Sequence, residues 1–178
     1  VIEKARKVLS HDSGPFWQFV KYGVIGDVEL FAKTAKGDFR NDLEEIIETC
    51  VKMKRDIVME DEFDNGMRQL LNLGHTLGHA IEKKSDFTVS HGHAVAIGMH
   101  LIAKVSEEKG MAEKGLAEKI RIALENNKLP ISIDYTAEEI TEGVLKDKKR
   151  PILVCVDEND NVYIIEVNPR SSRTVPFL

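Results

Sequence analysis

Apolar residues recur at helical spacing along most of the chain. VIEKARKVL carries this period over residues 1–9, HDSGP interrupts it, and Pro15 stands where a new helix can begin with FWQFVKYGVI. Asp27 opens a further helix, DVELFAKTAK, and Gly37 closes it. Asn41 with Glu44 three positions on has the form of a capping box ahead of the amphipathic run LEEIIETCVKMKRDIVM. The acidic loop EDEFDNG then separates that run from MRQLLNLGHTLGHAIEKK, which reads as one helix. Ser90 is placed to cap HGHAVAIGMHLIAKVSEEKG, and MAEKGLAEKIRIALENN stops before Pro130. Thr136 and Glu139 form a second capping box at TAEEITEGVLKDKK. The pattern changes after Arg150: PILVCVD and VYIIEV are rich in β-branched residues and flank the turn-forming ENDN, which predicts a β-hairpin. The expected fold is mainly α, a multi-helix domain over residues 1–150 with a hairpin and tail over 151–178.

Composition narrows the function classes. Of 178 residues, 42% are apolar and 31% charged, which is the balance of a globular protein and argues against disorder. A net charge of -5, with no cluster of Lys and Arg interleaved with aromatics, argues against a polyanionic partner such as nucleic acid. AVAIGMHLIAKV, the longest mostly apolar stretch, is too short to span a bilayer, and no basic-then-apolar leader opens the chain. Cys50 and Cys155 form no CxxC pattern, which suits two reduced thiols in the cytoplasm. The first residue is Val1, so a piece of a longer chain is expected.

Four of the six histidines fall within nineteen positions of NLGHTLGHAIEKKSDFTVSHGHAVAIGM, residues 72–99. His75 and His79 are one helical turn apart and share a face if helical. Two polar core histidines would have the same spacing. Gly74 and Gly78 repeat it, however, and a glycine inside a helix costs about 1 kcal/mol relative to alanine. Such a cost is expected where a second backbone or a ligand comes close. An antiparallel turn would return His91 and His93, beside Gly92, towards the first pair. Imidazoles with an oxygen donor and no nearby cysteine suit a catalytic zinc, or another divalent cation, with an open position. A metalloprotease is excluded, because Thr76 stands where HExxH requires the glutamate base. His11, His93 and His100 are expected to serve as surface or packing residues.

The run LEEIIETCVKMKRDIVMEDEFDNGMRQLLNLGHTLGHAIE through SHGHAVAIGM, with FVKYGVI upstream, resembles the C-terminal domain of 3-dehydroquinate synthase over about residues 13–149. The resemblance implies a lyase that converts a seven-carbon keto-acid phosphate, DAHP, into 3-dehydroquinate in the shikimate route to aromatic amino acids. It implies one zinc held at positions matching His75, His91 and Gln18, and His79 with Lys21 at the reacting centre. Lys54, Arg68 and Asn72 match positions that hold the carboxylate, phosphate and hydroxyls of the substrate. A sugar phosphate is the implied small-molecule partner, and a second copy of the chain is the other candidate. NAD belongs to the family's N-terminal half, and no strand followed by its glycine-rich turn is legible here, so the chain is expected to be inactive alone.

Three departures accompany the resemblance. Gln18 replaces the zinc-binding glutamate and is flanked by the bulky Trp17 and Phe19, as if that helix served for packing. No counterpart of the family's nucleotide half is expected within these residues. The tail DENDNVYIIEVNPRSSRTVPFL resembles instead an ATP-grasp segment of the carbamoyl phosphate synthase large chain, in which positions matching Glu166, Asn168 and Arg170 handle magnesium and ATP. A structural cap is the expected use of so short a segment, and a chimera or designed chain is the origin it suggests. Three functions stay open: a cyclase part that needs an NAD-binding partner, a metal-binding module without catalysis, and a structural domain with idle histidines.

Overall fold

The computed structural model describes residues 14–63 and 66–146 together with 152–156 and 162–166. The expected helix over residues 1–9, His11 and the boundary after residue 150 lie outside the described residues, as do Asn168 and Arg170 of the tail.

After a 3-10 turn at Gly14–Phe16 the chain forms α1, Trp17–Gly26, and then α2, Val28–Thr34. Asp27 separates the two because its extended backbone breaks the first and its carboxylate accepts from the Leu30 amide at 2.8 Å, capping the second. Helix α3, Leu43–Glu60, follows a 3-10 turn at Arg40–Asp42. The Asn41 box expected there is displaced: the N-cap position is Asp42, which makes no side-chain capping bond, because the 3-10 turn occupies the residues that would form it. A second correction concerns MRQLLNLGHTLGHAIEKK. Met67–Asn72 is 3-10, the chain turns at Leu73 and Gly74, and α4 spans only His75–Lys84. Then come α5, His91–Glu108, α6, Leu116–Asn126, and α7, Ala137–Lys146. Ser90 holds the N-cap position of α5 in extended backbone but without the side-chain bond expected of it. At α7 the predicted box is complete: Glu139 accepts from the Thr136 amide at 2.9 Å, and the Thr136 hydroxyl accepts from the Glu139 amide at 3.2 Å. Strands β1, Ile152–Val156, and β2, Val162–Glu166, pair antiparallel with Ile152 opposite Glu166 and Val156 opposite Val162.

Helix α5 is the axis of the core. Its Val95, Met99, Ile102 and Ala103 meet Trp17 and Val20 of α1 and Ile120, Ala123 and Leu124 of α6. Its opposite side, Ala94 and Ile97, packs with Ala80 and Ile81 of α4 and with Ile140 of α7. A third group gathers Phe19 and Tyr22 of α1, Leu30, Phe39 and Leu43, Ile46 and Cys50 of α3. No helix of the described residues is long and apolar enough to cross a membrane.

The glycines that raise the question of a close approach receive a definite answer in the contact between α4 and α5. Gly74 sits at φ +82° at the N-cap of α4, not inside a helix, and a Cβ there would lie 2.6 Å from Met99 Cγ. A Cβ on Gly78 would reach Val95 Cα at 3.0 Å, and one on Gly98 would fall on the Gly74 carbonyl oxygen. The backbones of α4 and α5 therefore touch without side chains between them, and this proximity sets the distance between the histidines the two helices carry.

Candidate functional site

His75 is the first residue of α4 and His79 stands one turn later, so both rings project along one face. The turn over residues 85–90 returns the chain so that His91 opens α5 beside them. That turn is built around the buried Ser85, whose carbonyl accepts from the Thr88 amide at 3.0 Å and hydroxyl at 2.7 Å, while its own hydroxyl accepts from the Val89 amide at 3.3 Å. Asp86 and Phe87 take φ of 49° and 60°, a strained choice for a bulky aromatic, and the Phe87 amide donates to the Glu82 carbonyl at 2.8 Å. The cost is local, and its result is the placement of His91.

The three imidazoles form a near-equilateral triangle. Ring centroids are 5.8 Å apart for His75 and His79, 5.4 Å for His75 and His91, and 5.7 Å for His79 and His91. Trp17 of α1 meets two of them edge-on, at 5.2 Å from His75 and 5.9 Å from His91. Burial first, then the charges of Lys21, His91 and His79, hold the His75 ring far below its ordinary range, at about 3, with the Leu73 carbonyl opposing them. His75 is thus a neutral imidazole at physiological pH, the form in which histidine binds metal.

Glu82, absent from the expected site, lies three residues beyond His79 on the same face of α4 and places Oε2 3.1 Å from His91 Nδ1. Among the described residues, His79, Glu82 and His91 bring one donor atom each within 4.8 Å of one another. The i+3 spacing from His79 was the available signal, but a single glutamate at that spacing on a charged helix is common and points nowhere by itself.

Lys21 is buried at 5% exposure, and its ammonium donates to the Leu71 carbonyl at 2.7 Å. The same Nζ stands 4.7 Å from the Trp17 ring and 4.9 Å from the Tyr22 ring. Burial, and then the charge of Lys54, pull Lys21 down to about 8, against Cys50. Lys54, exposed on α3, therefore adds its field to that of Lys21, and together they favour an anion. Arg68 is half-buried and donates through Nη1 to the Glu62 carbonyl at 2.8 Å, while its amide donates to Asp61 Oδ2 at 3.1 Å. Asn72, half-buried, closes the 3-10 turn just ahead of His75. Gln18 is exposed on α1, and the side chain of that helix that meets the imidazoles is Trp17. His100 is half-buried, with its Nδ1 2.9 Å from the Ile131 carbonyl oxygen.

Comparison with known proteins gives concordant results. The family model described as 3-dehydroquinate synthase C-terminal matches residues 18–150. The chain is 46% identical over 138 residues to 3-dehydroquinate synthase of Clostridium botulinum (strain Alaska E43 / Type E3), covering 74% of this chain and 39% of that protein. It is 43% identical over 155 residues to 3-dehydroquinate synthase of Clostridium perfringens (strain SM101 / Type A), covering 84% and 43%. The chain thus spans less than half the length of these relatives. In fold it is similar to 2-epi-5-epi-valiolone synthase from Streptomyces hygroscopicus subsp. jinggangensis 5008, solved with NAD+ and Zn2+ bound, at a TM-score of 0.73 and 15% identity over 92% of this chain and 49% of that one. A 2-deoxy-scyllo-inosose synthase complexed with carbaglucose-6-phosphate, NAD+ and Co2+ gives 0.56 and 19% over 71% and 39%.

Proposed function

Because this chain belongs to the 3-dehydroquinate synthase C-terminal family, we propose that it is the substrate-binding part of a cytoplasmic sugar-phosphate cyclase, a lyase that makes 3-dehydroquinate from DAHP when an NAD-binding half is supplied. The observation that carries this reading is the convergence of His75, His79 and His91 beside the buried cation Lys21. NAD, which the other half would hold, would supply the hydride acceptor.

The residues of this chain divide the remaining work. Lys21 and Lys54 supply a positive field for the phosphate or carboxylate, and Arg68 adds the planar donor set best suited to either. Asn72 is placed to hydrogen-bond a hydroxyl. His79 passes a proton at the reacting centre, and Lys21, at about 8, is close enough to neutrality to share that task. Trp17 limits water on the α1 side.

A divalent cation is the second group the family implies, and it would acidify the hydroxyl to be oxidised. The donor set tests the fit. His75, held neutral by burial, and His91 are good ligands, whereas Gln18 offers a neutral amide from an exposed position, a weak donor for such an ion. The family's full ligand set does not fit as it stands. That mismatch favours a second reading, in which the fold persists and the site is idle.

The deciding experiment mixes the full chain with the separately produced nucleotide-binding half of the Clostridium botulinum relative, NAD, zinc and DAHP, and measures phosphate release. We expect release from the mixture, little from the chain alone, and loss in His79→Ala. A mixture that associates but releases no phosphate refutes the enzyme reading.

A further inference from the structure

Position 18 carries the neutral, exposed Gln18, whereas among the described residues the carboxylate of Glu82 lies at the imidazoles. Glu82 is well shielded, with 15% of its side chain exposed against 49% for His91, and its Oε2 is 3.1 Å from His91 Nδ1. A carboxylate can only accept a hydrogen bond, so the proton of the pair belongs to Nδ1, and a neutral His91 then carries its lone pair on Nε2. His75 is arranged in the same way: its Nδ1 faces the Leu73 carbonyl oxygen at 3.4 Å, and that acceptor too selects the Nδ1–H form. Two imidazoles 5.4 Å apart thereby keep both Nε2 lone pairs available.

We propose that Glu82 is a positioning residue for a divalent cation: it holds His91 as the Nδ1–H tautomer, leaves Nε2 for the ion, and sets a negative charge behind the ring. This rests on the reading that His75 and His91 bind a cation. A carboxylate behind a ligating histidine raises the basicity of the ring and fixes its orientation, and removing such a partner typically lowers metal affinity about 10–100-fold. The sequence spacing that provides Glu82 is helical: it lies one turn beyond His79, so its side chain faces the start of α5 once the turn over residues 85–90 brings His91 back. The competing arrangement is direct coordination by Glu82 together with His79, since those donors and His91 also cluster.

The test has two independent readouts on the full chain. Long-range 15N–1H spectra of the histidine rings, without metal, report the His91 tautomer. We expect Nδ1–H in the parent chain and a shift towards Nε2–H in Glu82→Ala, with Glu82→Gln, which can still accept through its amide oxygen, keeping Nδ1–H. Zinc titration is expected to show about 10–100-fold weaker binding in Glu82→Ala and an intermediate loss in Glu82→Gln, with His91 bound through Nε2. An Nε2–H tautomer in the parent chain overturns the proposal, as does zinc on Nδ1 of His91 with Glu82 as co-ligand. If the parent chain binds no zinc, the metal part of the proposed function fails, and the role of Glu82 towards a cation falls with it. If zinc binds and Glu82→Ala binds it equally well, only the present inference is lost.

Discussion

Replacing Lys21 by methionine should stabilise the protein at neutral pH while removing its positive field from the site. The ammonium occupies a position where its pKa falls from 10.5 to about 8, chiefly through burial and secondarily through Lys54. At 1.36 kcal/mol for each pH unit, holding it charged in the folded state costs about 3 kcal/mol at pH 7. Methionine has nearly the same length and removes that cost. It also leaves the Leu71 carbonyl without the 2.7 Å bond it accepts now, a loss of about 1–2 kcal/mol. The net expectation is a gain of about 1–2 kcal/mol, or a rise in Tm of about 2–8 °C for a chain of this size.

The sign with pH separates this argument from simple hydrophobic packing. The folded pKa is depressed, so between pH 8 and 10.5 the unfolded chain binds more protons than the folded one, and the parent protein gains stability as pH rises through that window. By pH 10 most of the penalty has gone, and the advantage of Lys21→Met should vanish or reverse into the cost of the unpaired carbonyl. Urea denaturation of both proteins at pH 7 and pH 10 measures the difference. A variant that is destabilised equally at both values would refute the claim that Lys21 is a charge held at a cost, as would one stabilised equally at both. If Lys21 holds substrate as proposed, phosphate release by the reconstituted variant should fall sharply, the usual trade of stability for function.

Gly98→Ala should be among the most damaging small changes, about 3 kcal/mol and a Tm lowered by about 6–12 °C, because the added methyl meets the backbone of α4 at Gly74 and not a flexible side chain. Thermal melts would show this, and an unchanged Tm would mean that α4 and α5 are not in backbone contact. Thr136→Ala removes half of the capping box on α7 and should cost about 1 kcal/mol, read by denaturation. The bond to the Thr136 amide holds the Glu139 carboxyl below its ordinary value, so its contribution is present above the unfolded pKa and fades as acid brings the pH through the folded one. Cys50, 6% exposed and with a thiol pushed up to about 12 by burial, should resist a disulfide reagent at pH 8 in a Cys155→Ser background and react only on unfolding. Rapid labelling of the native protein would contradict its place in the α1–α3 core.

Much of this protein follows from local rules, and those parts are legible in the linear order of residues. Helical periodicity locates most of the helices, and Asp27 and Thr136 bring capping groups within three residues of the amides they serve. The pairing of His75 with His79 is likewise a matter of 3.6 residues per turn. The errors fall where a contact from a distant segment outweighs local preference. MRQLLNLGHTLGHAIEKK has the apolar spacing of one helix, but the chain turns at Gly74, whose φ of +82° and close approach to Met99 and Val95 belong to the contact of α4 with α5. Gln18 and Trp17 are neighbours in sequence, and only the packing of α1 on α5 decides that the indole faces the imidazoles. Glu82 joins His91 because a six-residue turn with two strained positions folds α5 back onto α4, a geometry no pairwise spacing encodes. Sequence alone thus determined most of the helices and which chemical groups they carry, because both depend largely on neighbours a turn or less away. Tertiary structure decided which of those groups meet and which charge is buried, because these depend on long-range packing and on water excluded by it.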